Sequence, residues 1–135
     1  MKIEHTLTPN SQDIDFLTDK INAETPDVPP AYCFAFFIRD DKDEIIAGCN
    51  GSVIFGEIYT DQLWVHPDYR KQGLGKKLMN QVHDYGREAG CKIATVATMS
   101  FQNARQFYEQ LRYKKEFERQ GYINKSSCIL LKKNI

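Results

Sequence analysis

"LWVHPDYRKQGLGKKL", residues 63–78, passes from the end of a strand into the start of a helix through a basic turn. Leu63 and Val65 alternate with Trp64 as in a strand, whereas Leu74 and Leu78 are spaced as on one face of a helix. Between them Gly73 and Gly75 stand one residue apart, among Arg70, Lys71, Lys76 and Lys77. Glycine permits φ > 0 and the close approach of a ligand. The first turn of a helix presents unpaired N–H groups and the positive end of its dipole. Together these features make an anion site, and a phosphate compound is its usual occupant.

Working outward, Leu74, Leu78, Val82, Tyr85 and Ala89 form one helical stripe with Met79 beside it. Lys77, Asp84, Arg87 and Glu88 define the opposite face, to which His83 is also assigned. Gly90 is placed to end the helix. "CKIATVAT" (91–98) then reads as a buried strand, so strand, helix and strand form a crossover joining parallel neighbours. Upstream, "YCFAFFIRD" (32–40), "IIAGCNGSVIFG" (45–56) and "EIYTDQLWV" (57–65) are three strands with short links, an antiparallel meander. Gly48 and Gly51 inside the second suggest a bulge or a close backbone approach. Downstream, "NARQFYEQLR" (103–112) is a second helix with Ala104, Phe107, Tyr108 and Leu111 at helical spacing, and "YKKEFER" and "SCILLKK" close the chain as strands. At the N-terminus "IEHTLT" (3–8) alternates as a half-buried strand. A helix capped by Asn10 or Ser11 follows, with Ile14, Leu17 and Ile21 on one face. The prolines of "PDVPP" (26–30) then enforce a loop. The expected fold is α+β: a single mixed, mostly antiparallel sheet with helices on its faces, in one domain over residues 1–135.

Three phosphate-binding patterns can be compared with the turn. A P-loop requires Ser or Thr after Gly-Lys, but Lys77 follows Gly75-Lys76, and Arg70 holds the earlier glycine position. The dinucleotide fingerprint requires a third glycine where Leu78 stands. The pattern [QR]-x-x-G-x-[GA] is met in full by Arg70, Gly73 and Gly75. In this the sequence resembles the GNAT superfamily of N-acetyltransferases, and "FQNARQFYEQLRY" (101–113) is similar to that family's second motif, A-x-x-x-Y-E-x-L-G-[FY]. The order of elements matches as well. Two departures are Arg112, where the family usually has Gly, and Phe101, where many members have Asn.

The resemblance implies a GNAT-like acyl-CoA N-acyltransferase fold and direct transfer of an acetyl group from acetyl-CoA to a primary amine of a small molecule or peptide, with no covalent enzyme intermediate. It implies that the backbone N–H groups of Gln72, Gly73, Leu74, Gly75 and Lys76 hold the pyrophosphate of acetyl-CoA, with added charge from Arg70 and Lys76. Val65 would offer backbone groups to the pantetheine arm as if to an added strand. Tyr108 would be the general acid that protonates the departing thiolate. An amine arriving as an ammonium ion needs a base. Glu57 and Asp61 are the candidate carboxylates, because with Tyr59 they share one side of their strand with Val65 by the period of two. A water chain could serve instead. A reading of another class is an acyl-CoA-binding sensor or interaction module without catalysis.

The totals bound these readings. Lys plus Arg number 18 and Asp plus Glu 18. That balance disfavours nucleic acid as a partner. No segment approaches the ~20 apolar residues of a membrane span, and "MKIEHTLTPN" lacks a signal-peptide core. Cys33, Cys49, Cys91 and Cys128 show no C-x-x-C spacing and are expected as buried reduced thiols in a cytoplasmic protein. The histidines lack metal-ligand spacing, so no metal site is expected. Trp64 is assigned to packing. The acidic stretches "DDKDE" and "GEIYTD" favour a cationic acceptor. The expected partners are acetyl-CoA and that amine, with a homodimer left open.

Overall fold

The computed structural model describes residues 1–135. Strands β1 (Tyr32–Arg39), β2 (Ile45–Ile54) and β3 (Glu57–Val65) form the expected meander, turned at Asp40–Glu44 and at Gly56. Helix α2 (Leu74–Glu88) crosses to β4 (Ile93–Met99), which lies parallel to β3. A short helix α3 (Arg105–Gln110) leads to β5 (Lys114–Arg119) and β6 (Cys128–Asn134). The sheet order is β1-β2-β3-β4-β6-β5, so all pairs but β3–β4 are antiparallel.

The core lies on one side of this sheet. Leu78, Met79 and Val82 of α2 pack over Ala47, Val53, Ile58, Ala94 and Val96. Gly86 lets α2 sit close, since a Cβ there would come within 2.7 Å of Ile58 Cγ2. Tyr85 meets Phe36 edge-on, with ring centroids 5.6 Å apart. Helix α3 joins the same side through Tyr108 and Leu111. Arg112 takes the left-handed conformation after it, φ 74°, where a glycine would be unstrained.

Four expectations are corrected. Residues 3–8 form no strand and lie exposed. Alternation alone does not make a strand without a partner edge, and none pairs with them. The N-terminal helix α1 (Ser11–Ala23) does form, with the Asn10 side chain accepting from the Gln12 N–H at 2.8 Å. Its apolar stripe, however, covers nothing: none of its residues is buried. His83 is buried rather than on a polar face, at 2% exposure, with Nε2 2.9 Å from the Tyr113 hydroxyl. Burial lowers its pKa from 6.5 to about 4. Among the unpaired cysteines Cys33 is exposed, while Cys49 and Cys91 are buried and Cys128 half-buried.

Candidate active site

β3 and β4 pair only from Glu57 to Thr60 against Ile93 to Val96, and beyond that point the strands part. The register between β2 and β3 shifts at the same place: Gly51 faces Thr60, Asn50 faces Gln62, and Asp61 is the extra residue of a bulge. A bulge adds one residue to one strand and resets which face later side chains take. Ile58 and Thr60 point to the α2 side, and so do Leu63 and Val65 after the bulge. Glu57, Tyr59 and Asp61 therefore do not share a face with Val65, contrary to the period-two reading. The carboxylates lie across the sheet from it.

Past the end of β3 the chain makes a single 3₁₀ turn, Pro67–Tyr69, and reaches Gly73 with φ 81° as the N-cap of α2. No side chain caps this helix, and its first turn carries no acid. Its leading N–H groups are thus free for an anion. The two glycines differ. A Cβ on Gly73 would meet nothing within 4 Å, whereas one on Gly75 would come within 3.2 Å of the Phe107 ring. Gly73 serves the turn and its open approach, and Gly75 lets α3 pack against α2.

A cleft of about 600 Å³ opens here between the end of β3, the start of α2, and the turn after β4 with α3. Of the expected cofactor residues, Val65, Arg70, Gly73, Leu74, Gly75 and Lys76 line it, and Gln72 does not. Arg70 Nε donates to the Val65 carbonyl at 2.8 Å, so that carbonyl is engaged within the protein and Arg70 braces the turn. Asn103 and Phe107 also line the cleft and were missed from sequence. The signal was present in "FQNARQFYEQLRY", the stretch that follows β4 and packs beside the turn.

Tyr108 is 8% exposed, between the rings of Phe107 and Tyr113 at 5.1 and 5.5 Å. Burial pushes its pKa up to about 12, with smaller contributions from Cys49 and Tyr59. Phe107 rather than Tyr108 forms the cleft wall. On the other sheet face a second cleft, about 690 Å³, is lined by Cys33, Ala35, Asn50, Ser52, Tyr59 and Asp61. Burial and the nearby Asp61 raise the Tyr59 pKa. Glu57 lies outside this cleft and accepts a hydrogen bond from Thr95 Oγ1 across the parallel pair. Trp64 is exposed beside His66, with centroids 5.8 Å apart, and does not pack into the core. The Thr60 hydroxyl, where the strands part, is buried without a hydrogen-bond partner.

A family model described as the acetyltransferase (GNAT) family matches residues 4–113. Blasticidin-S acetyltransferase of Streptomyces morookaense is 31% identical over 86 residues, 63% of this chain and 62% of that protein, so the chain spans about three-fifths of that relative. An acetyltransferase structure from Bacillus cereus superposes with a TM-score of 0.76 at 20% identity, covering 98% of each chain. An aminoglycoside 6'-N-acetyltransferase complexed with coenzyme A gives 0.69 at 17% identity, covering 99% of this chain and 97% of that one.

Proposed function

Since the chain belongs to the acetyltransferase (GNAT) family, we propose that it moves an acetyl group from acetyl-CoA to a primary amine of a small molecule, acting as one domain over residues 1–135. The observation that carries this reading is the uncapped, acid-free, cationic start of α2, opening onto a cleft lined by the end of β3 and by α3. Pyrophosphate would rest on the N–H groups of Gly73 to Lys76. The pantetheine arm would run beside β3 toward the gap past Thr60, bringing the thioester between the two clefts. The proposed acceptor is cationic, because Asp61 lines the second cleft without a cation beside it. Two of the proteins compared above are named for blasticidin-S and for an aminoglycoside, which supports a small-molecule amine.

In the reaction the amine nitrogen, freed of one proton, attacks the thioester carbon. The tetrahedral intermediate then gives its second nitrogen proton to solvent and collapses, the C–S bond breaks and an amide forms. Asp61 is the base of this scheme, directly or through water. Glu57 is held by Thr95 and acts on the strands instead. Tyr108 is the donor to the departing sulfur. Its pKa of about 12 exceeds a thiol's ~8.5, so full proton transfer would be uphill by roughly 5 kcal/mol. Its part is therefore a hydrogen bond to the nascent thiolate, with solvent supplying the proton.

The test is release of free CoA thiol from acetyl-CoA across a panel of amines. Turnover with at least one cationic amine is expected, and binding of acetyl-CoA without turnover of any amine would favour the sensor reading. Asp61→Asn should lose rate most below the amine's own pKa and recover as pH rises, while Glu57→Gln keeps the parent profile. An unchanged profile in Asp61→Asn removes Asp61 as the base. Tyr108→Phe is expected to lower kcat by about 10²-fold or more, the low end for loss of a transition-state donor, and a normal kcat would make it a core residue only.

A further inference from the structure

Two apolar surfaces of this chain lack a partner, and they fit one another. On α1, Ile14, Leu17 and Ile21 form a stripe at helical spacing and are 47%, 56% and 62% exposed. On the sheet, the face opposite α2 presents Ala35, Phe37 and Trp64, with Phe37 and Trp64 about half exposed. These two aromatic rings border a shallow cleft of about 290 Å³. Large contiguous apolar surfaces of this kind mark interaction sites.

The amount of open surface is also that of a chain missing a partner. The accessible area is 10,219 Å². A folded monomer of 15.6 kDa should expose only about 7,300 Å². The excess, on the order of 3,000 Å², lies in the range that obligate dimers bury.

The link between the two surfaces decides which copy meets which. The Asn22 side chain donates to the Ala31 carbonyl and accepts from the Ala31 N–H, both at 3.0 Å. Pro26, Pro29 and Pro30 stiffen the loop they close. This double bond fixes where α1 leaves β1, and in that position the stripe touches nothing of its own sheet. Charge favours the encounter too. Residues 1–24 carry five acids and two bases, so with 18 of each in the chain the remainder holds three more bases than acids.

We propose that the protein is an isologous dimer in which the α1 arm of each copy lies in the Phe37–Trp64 groove of the other copy's sheet. Such an exchange repeats one contact twice about a two-fold axis. A helix laid in a groove through residues spaced i, i+3 and i+7 is a recurring mode of recognition. The second cleft, lined by Tyr59 and Asp61, lies on this same face, so the partner's arm borders it.

The full chain supplies its own reporter, because Trp64 is its one tryptophan. Sedimentation equilibrium at micromolar concentration should give twice the 15.6 kDa chain mass. Leu17→Asp on the arm and Phe37→Asp on the sheet should each raise the dimer dissociation constant by at least ~10-fold, about 1.4 kcal/mol. Both positions are exposed in the single chain, so circular dichroism should show both variants folded. Trp64 emission should move to longer wavelength and iodide quenching should rise in the Leu17→Asp protein. A wild-type monomer with shielded Trp64 would mean that α1 covers its own sheet, and overturns the proposal. So does a wild-type monomer with open Trp64, or a dimer in which Leu17→Asp changes neither mass nor quenching. None of these readouts involves acetyl transfer, so the proposal stands or falls apart from the enzymatic reading.

Discussion

Gly73 and Gly75 are alike in the sequence and serve different ends in the fold. Gly73 holds φ at 81° with open space where a side chain would sit, and Gly75 makes room for Phe107. A test of the phosphate site belongs at Gly73, because substitution at Gly75 would disturb α3 as well. Asn and Asp both tolerate the left-handed region and have nearly equal size. Gly73→Asp adds a carboxylate where the pyrophosphate is proposed to bind, and Gly73→Asn is its neutral control. Calorimetry should find acetyl-CoA at least ~10-fold weaker for the Asp variant than for the Asn variant, about 1.4 kcal/mol. Equal affinities would remove the turn from the binding site. Thr60 offers a second single-side-chain test. Its buried hydroxyl has no partner, so it was desolvated without compensation. Thr60→Val keeps the shape and deletes the orphan group, and urea unfolding should show a gain of about 1 kcal/mol at unchanged m-value. A loss of stability would mean that the hydroxyl is satisfied in solution.

Helix α2 is tied to the residue preceding β5 through His83 and Tyr113, and this tie carries a pH dependence. His83 is neutral in the folded protein down to about pH 4, whereas in the unfolded chain it takes up a proton near 6.5. Between these values the unfolded state binds more protons, so stability falls as pH is lowered from 6.5 toward 4 and is regained as pH rises. The slope for this one group is at most ~1.4 kcal/mol per pH unit. His83→Gln retains a hydrogen-bonding side chain and cannot titrate. Thermal melts across pH 4 to 7 should therefore show a shallower decline for the variant than for the parent. Parallel curves would show that His83 titrates normally in the native protein. The Tyr113 hydroxyl that faces it also has its pKa raised by burial, so both partners meet uncharged. The bond links the crossover helix to the residue preceding β5, and so helps to set the cleft between α2 and α3.

For the molecule as a whole, binding at the proposed cofactor cleft and folding are linked. The cleft draws on β3, α2, α3 and the turn after β4, which are far apart in sequence and assemble only in the native state. Acetyl-CoA at 100 times its dissociation constant should then stabilise the protein by about 2.7 kcal/mol. The melting temperature should rise with its concentration and stay unchanged with acetate alone. A melting temperature insensitive to acetyl-CoA would argue against the cleft as its site.

The features that the sequence settled are those encoded in the local spacing of each element and its turns. The glycine turn, the stripe of α2, the three-strand meander and the crossover to β4 are written in local spacing, because helical period, strand period and φ preference act between near neighbours. The cleft-lining residues of the turn were legible for the same reason. What folding added depends on contacts between distant segments. The bulge at Asp61 exists only through the register of β3 against β2, and it moved the carboxylates away from the face of Val65. His83 reads as polar until Tyr113, thirty positions on, covers it. Residues 3–8 alternate as a strand does and find no edge to pair with, and the stripe of α1 finds no surface within its own chain. A local pattern states which side of an element is apolar. Whether that side is buried, and against what, is fixed by which surfaces the packed chain brings within van der Waals contact.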